Sequence, residues 1–184
     1  MVMKVLDLFC GLGGWSQAFA DAGHDCTGID IKDLGYHSRF IKADITDWQP
    51  DQGYDVILAS PPCNHFSIIS YYFTGKNNHM KGLDLVWRTF HLIEKIKPKY
   101  WAIENVKGLS WFLPPPTDII RYGKNKCRKE AYIWTNFGSL PMFETMLIKK
   151  TSRRDFRVGN PELGRIPYQM SKAVLDITQK TPNE

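Results

Sequence analysis

The chain has 184 residues, 43% of them hydrophobic, which suffices for one well-cored domain and is short for two. Twenty-four Lys and Arg against 19 Asp and Glu leave a net charge of +5, which permits a polyanionic partner without identifying one. Cys10, Cys26, Cys63 and Cys127 form no CxxC pair and accompany no histidine cluster, arguing against a zinc site or a disulfide framework. Neither a cleavable leader nor an apolar run of membrane-spanning length stands out, so the expectation is a soluble cytoplasmic protein with no membrane contact.

Met3–Phe9 is an apolar strand that runs into Cys10-Gly-Leu-Gly-Gly14, and Trp15–Ala22 has helix-forming character ending at Gly23. Strand, glycine turn and helix in that order let backbone approach a ligand and aim N–H groups at it. The same pattern suits NAD. Asp25–Asp30 gives a second strand ending in an acid 19 residues after Gly11, where ribose hydroxyls would be bonded. A third short strand within Ser38–Ile45 carries Asp44, suited to an adenine amino group, although both acids also fit turns or helix caps.

Tyr54–Ser60 reads as a buried strand, and Cys63 falls just beyond its carboxyl end, behind Pro61 and Pro62, which stiffen the loop. A thiol held rigidly at a crevice suits nucleophilic catalysis, whereas Pro-Pro-Cys alone reads better as a turn with a core cysteine. Ile68–Gly82, with Tyr71–Phe73, shows no period and reads as a mobile lid. Leu83–Ile96 carries the stripe of a crossover helix that Pro98 stops, and Lys99–Glu104 is the next strand. Glu104 closes an apolar strand, where a carboxylate must be liganded or desolvated. Asp118–Tyr122 and Ala131–Phe137 form two antiparallel strands around the basic run Lys124–Lys129. Met142–Ile148 is ambiguous between strand and loop, and Lys149, Lys150, Arg153, Arg154 and Arg157 form a second basic run. Pro167 opens a final helix.

The glycine turn, Asp30, Asp44, Cys63 and Glu104 all fall at strand carboxyl ends. In this order they resemble the cytosine-C5 methyltransferase family, through DLFCGLGGWSQAF (Asp7–Phe19), SPPCNHFS (Ser60–Ser67), IENV (Ile103–Val106) and, less closely, IPYQMSKAV (Ile166–Val174). The resemblance implies an α/β fold: a Rossmann-like, mostly parallel sheet with an antiparallel hairpin at the edge, in a single catalytic domain over 1–184 that binds S-adenosylmethionine. Cys63 would attack C6 of a flipped cytosine, Glu104 would hydrogen-bond or protonate N3, and Arg128 would assist. Cofactor contacts would fall to Phe9, Cys10, Gly11, Gly13, Gly14, Trp15, Asp30, Ile31, Asp44, Ile45, Ser60, Pro61, Ala173 and Val174. Asn64, Ser67, Lys126 and the cations at Lys149, Lys150, Arg153, Arg154 and Arg157 would meet DNA.

This sequence departs from the family at several points. Asn64 replaces a glutamine after the cysteine, Ser171-Lys172 replaces Gly-Asn, and Glu130 stands where a second arginine would bond the cytosine, a loss made good only where Lys126 or Lys129 reaches the same spot. The target-recognition segment shrinks to about 138–165. A DNA cytosine methyltransferase of prokaryotic or viral kind is the primary expectation. An enzyme acting on RNA or a pyrimidine nucleotide is an alternative. So is a catalytically weak relative acting with a partner protein.

Overall fold

Strands β1 (Lys4–Leu8) and β4 (Val56–Ala59) are buried almost end to end, as parallel strands covered on both faces must be. They form the middle of a seven-stranded sheet ordered β3-β2-β1-β4-β5-β7-β6, in a computed structural model that describes residues 1–67, 71–72, 75, 78–122, 129–141 and 165–180. β2 (Asp25–Asp30), β3 (Arg39–Lys42) and β5 (Tyr100–Asn105) pair parallel with their neighbours. β7 (Lys129–Thr135) alone runs against the rest, pairing antiparallel with both β5 and β6 (Asp118–Tyr122). The expected Rossmann-like sheet with an edge hairpin is the observed one.

Alternation along the strands divides the core in two. Val5, Val56, Leu58 and Ala102 pack with Phe19 of α1 (Gln17–Asp21) and Met170, Ala173 and Val174 of α3 (Tyr168–Lys180). Leu6, Leu8, Ile57 and Ile103 pack instead with Val86, Leu92 and Ile93 of α2 (His79–Ile96). Helices thus cover both faces. The α2 helix begins four residues before the expected Leu83 because Asn78 caps it, accepting the Lys81 N–H at 3.0 Å, and it ends on Lys97 in the left-handed region before Pro98.

The first helix begins at Gln17, later than expected, and residues 11–16 form turns. Ser171 joins it to α3: its hydroxyl donates to the Trp15 carbonyl at 2.5 Å and accepts the Ala18 N–H at 3.1 Å. Gly14 permits this closeness, since a Cβ there would sit 2.7 Å from the Ile166 backbone. The doubtful stretch Met142–Ile148 and most of the segment 138–165 lie outside the described residues.

Candidate active site

Beyond β4 the chain passes Pro61 and Pro62 and enters a single 3-10 turn, Cys63–His65, closed by the Phe66 N–H donating to the Cys63 carbonyl at 3.0 Å. Three contacts fix this turn from outside. The buried Asn105 amide at the end of β5 donates to the Pro61 carbonyl at 2.9 Å. Gly108 abuts Phe66 so closely that a Cβ would lie 2.1 Å from its carbonyl oxygen, and Gly82 of α2 would place one 2.6 Å from the Phe66 ring. The cysteine is therefore held by both neighbouring elements while remaining exposed itself, unlike the buried Cys10 and Cys26. That combination separates a presented nucleophile from a core thiol.

Glu104 sits one residue before Asn105, on the opposite face of β5, and is half-buried beside the same turn. Burial raises its pKa to about 7, against the Ser60 hydroxyl and the Lys129 charge, which both favour the carboxylate. The Cys63 thiol is pushed up to about 11, first by desolvation and then by the Glu104 charge, with Lys129 pulling it back. Each anion disfavours the other. Neutralising Glu104 therefore makes the thiolate cheaper, which suits a reaction in which one acts as acid and the other as nucleophile.

The structure corrects the placing of Glu130. β7 starts at Lys129, two residues before the expected Ala131, and its alternation puts Lys129 with the buried Ala131 and Ile133. Glu130 falls with Tyr132 on the other face and accepts a bond from the exposed Arg121 at 2.8 Å. It lies off the face of the sheet that carries Glu104. Lys129, which the sequence offered only as a stand-in for the missing arginine, lies on the face that carries Glu104, and its charge favours the ionised forms of both Cys63 and Glu104. Its cross-strand partner Tyr122 is buried and responds to the same two groups. Extending the strand's period-two pattern back by two residues would have found Lys129.

A cleft of about 340 Å³ opens at the ends of β1, β2 and β3, large enough for a nucleoside. Phe9, Asp30, Ile31, Asp44 and Ile45 line it as expected of cofactor contacts, joined by Pro62, His65, Lys81 and Leu85, which the sequence did not single out. Asn64, expected on the substrate side, lines the same cleft. Phe9 reaches it from a left-handed φ of 58°, a strained conformation for a bulky residue. Asp30 accepts the Gly11 N–H at 3.1 Å through one oxygen and the Lys32 N–H at 3.1 Å through the other. A carboxylate has about four acceptor positions, so capacity for two hydroxyls remains. Asp44 directs one oxygen to both donors of Thr46. Apolar walls bounded by two carboxylates fit adenosine: flat apolar faces for the base, acceptors for the ribose hydroxyls and the amino group.

Other expected contacts lie elsewhere. Gly13 backs onto the His37 ring, and Gly14 onto Ile166, so neither lines the cleft. Cys10, Trp15, Pro61, Ala173 and Val174 are buried in protein, and Ser60 lies beside Glu104. Beneath the glycine turn, Ser16 Oγ is 2.6 Å from Asp7 Oδ2, 2.7 Å from Tyr36 Oη and 3.2 Å from His37 Nε2, a buried network absent from the sequence reading. Ser67 stands half-buried after the cysteine turn, and Tyr71 and Tyr72 are exposed beyond it. Phe73, Lys126, Arg128, Lys149, Lys150, Arg153, Arg154 and Arg157 lie outside the described residues. Among the described residues, no helix is long and apolar enough to cross a membrane.

The profile of the C-5 cytosine-specific DNA methylase family matches residues 3–112, which include the glycine turn, both cleft acids, Cys63 and Glu104. The "Probable DNA (cytosine-5)-methyltransferase" of Frog virus 3 (isolate Goorha) is 31% identical over 151 residues, covering 73% of this chain and 71% of the viral protein. Type II methyltransferase M.HgiCI of Herpetosiphon aurantiacus is 32% identical over 128 residues, and there this chain spans only 28% of the relative. A solved structure described as a DNA modification methyltransferase encoded within a prophage (E. coli) shares the fold at a TM-score of 0.50 and 19% identity, covering 72% of this chain and 46% of that one. Profile and relatives agree on one assignment: the chain belongs to the C-5 cytosine-specific DNA methylase family.

Proposed function

We propose that this chain methylates C5 of cytosine in DNA through a covalent adduct with Cys63, using S-adenosylmethionine. The observation that carries the reading is the juxtaposition of a rigidly presented, exposed thiol with a carboxyl of near-neutral pKa, at the ends of adjacent parallel strands beside a nucleoside-sized cleft. Cytosine C5 is a weak nucleophile. Addition of the Cys63 thiolate to C6, with a proton delivered to N3 from Glu104, moves electron density onto C5. Bound S-adenosylmethionine would supply an electrophilic methyl on its sulfonium, and loss of the C5 proton with departure of the cysteine would restore the aromatic ring. Asp30 and Asp44 would hold the adenosine through its hydroxyls and amino group. A duplex substrate would have to flip its base to reach the crevice.

The cations at Lys149, Lys150, Arg153, Arg154 and Arg157 would meet phosphates, and the short interval before Arg165 leaves few side chains for base edges. A short or loose target follows, or one narrowed by a specificity partner. The test is transfer of labelled methyl to duplex DNA, single-stranded DNA, transfer RNA and dCMP in parallel. Duplex DNA should be the best acceptor. Preference for transfer RNA or dCMP would reassign the substrate, and no transfer to any of them would overturn the reading.

A further inference from the structure

The crevice brings two groups that both become anions against a single described cation. Strand alternation places Lys129 on the face of β7 that carries Ala131 and Ile133, and Ile133 is the cross-strand partner of Glu104. Tyr122 closes the other side as the partner of Lys129 on β6. Among the described residues, Cys63 of the turn, Glu104 on β5 and Tyr122 on β6 are titratable groups on the side of this lysine, one from each element. We propose that Lys129 is the positioning cation of the site, favouring the thiolate of Cys63 beside Glu104.

The physical case is short. Two desolvated anions facing each other cannot both ionise near neutrality, and an opposite charge between them favours ionisation of either. Lys129 lowers the pKa of the thiol and of the glutamate, while both of them oppose the loss of its own proton through burial. The geometry behind this is the pleat: Lys129 is half-buried on the same face of the sheet as Glu104, at the end of β7 next to the strand that carries it. Glu130 and Arg121, one residue along their strands, pair with each other on the opposite face and leave this arrangement alone.

This inference rests on the methyltransferase reading for its effect on turnover, but its test does not. The rate at which iodoacetamide alkylates Cys63, followed by peptide mass spectrometry between pH 6 and 10, reports the thiolate fraction of that one cysteine. Below the thiol pKa, a shift of one unit changes the rate tenfold. Lys129→Met should slow alkylation roughly tenfold at pH 8. Lys129→Arg, which keeps the charge, should stay within about threefold of wild type, and Glu130→Gln should match wild type. Lys129→Gln keeps a polar head and stands in for the methionine variant should that one fail to fold. Unchanged alkylation in both neutral variants, an arginine variant as slow as they are, or an equal effect from Glu130→Gln would overturn the proposal. A wild-type protein that transfers no methyl to any nucleic acid would sink the function and leave this result standing.

Discussion

Glu104 titrates near neutrality because burial opposes its charge more strongly than Ser60 and Lys129 favour it. As the proton donor of the proposed reaction it works only while protonated, whereas the Cys63 thiolate gains as pH rises towards about 11, so kcat/KM should rise up to about pH 7 and level off above it. Glu104→Gln should lower kcat by about 10²–10⁴ and let kcat/KM go on rising with pH past 7. A levelling near 7 retained in the glutamine variant would assign it to another group. At the same scale, Glu130→Gln should leave methyl transfer within about twofold of wild type, as its partner Arg121 is exposed and the pair lies off the crevice face. A larger loss would return Glu130 to the site. Cys63 and Glu104 were legible in the sequence because strand ends are marked by apolar runs that stop at a reactive or acidic residue. Lys129 was legible only as one of two cations that could replace the missing arginine, since a basic run carries no apolar period to show which member faces inward. Matching that run to a motif drew attention to Glu130; the pleat of β7 puts Lys129, and not Glu130, on the face of Glu104.

Elements meet at two glycines, and there a single methyl group has consequences beyond its own residue. Gly108→Ala would force a Cβ to 2.1 Å from the Phe66 carbonyl, where backbone must move, and Phe66 ends the cysteine turn. Turnover should fall at least about tenfold while adenosine binding in the cleft is spared, since near-ångström misplacement of a reacting group is costly. Calorimetry with S-adenosylhomocysteine beside an activity assay separates the two, and an equal loss of both would show that the glycine serves folding in general. Ser171→Ala removes two buried bonds between α3 and the Trp15–Ala18 segment, and should lower stability by about 1–3 kcal/mol in denaturant unfolding. The helices were readable from their apolar stripes, but the late start of α1 was not, because Trp15 and Ser16 continue its helix-forming composition and are instead drawn into the turns that the glycines begin. Gly13 and Gly14 illustrate a related limit: a glycine that admits protein and one that admits a ligand look alike in a sequence, and these two admit His37 and Ile166.

For the molecule as a whole, the buried network beneath the glycine turn sets a pH dependence of stability. Asp7 is pushed up to about 8, first by burial, against the bonds from Ser16 that favour its charge. The native state therefore keeps a proton that the unfolded chain gives up near pH 4, so stability is greatest below that and is lost as pH rises towards 8. Glu104, raised to about 7, adds to the same trend. Tm should drop by several degrees between pH 6 and 9, and Asp7→Asn should reduce that drop. A Tm that rises over this interval, or an unaltered drop in the variant, would contradict the network's assignment. The two-faced sheet was legible because its central strands are uniformly apolar and its crossover helix is periodic. Asp7 escaped notice as a buried acid because it sits in the middle of an apolar strand, where only the tertiary contacts of Ser16, Tyr36 and His37 reveal it.

The central claim is a bond between Cys63 and cytosine C6. Duplex DNA carrying 5-fluorocytosine cannot lose its C5 substituent after methyl transfer, so the adduct should persist through denaturation. Incubated with S-adenosylmethionine, the wild-type protein should give a complex that survives denaturing gels, and mass spectrometry should map the nucleotide to Cys63. Cys63→Ser should give none while still binding S-adenosylhomocysteine. Methyl transfer by the wild-type protein without any trapped complex, or an adduct mapped to a different residue, would contradict the account.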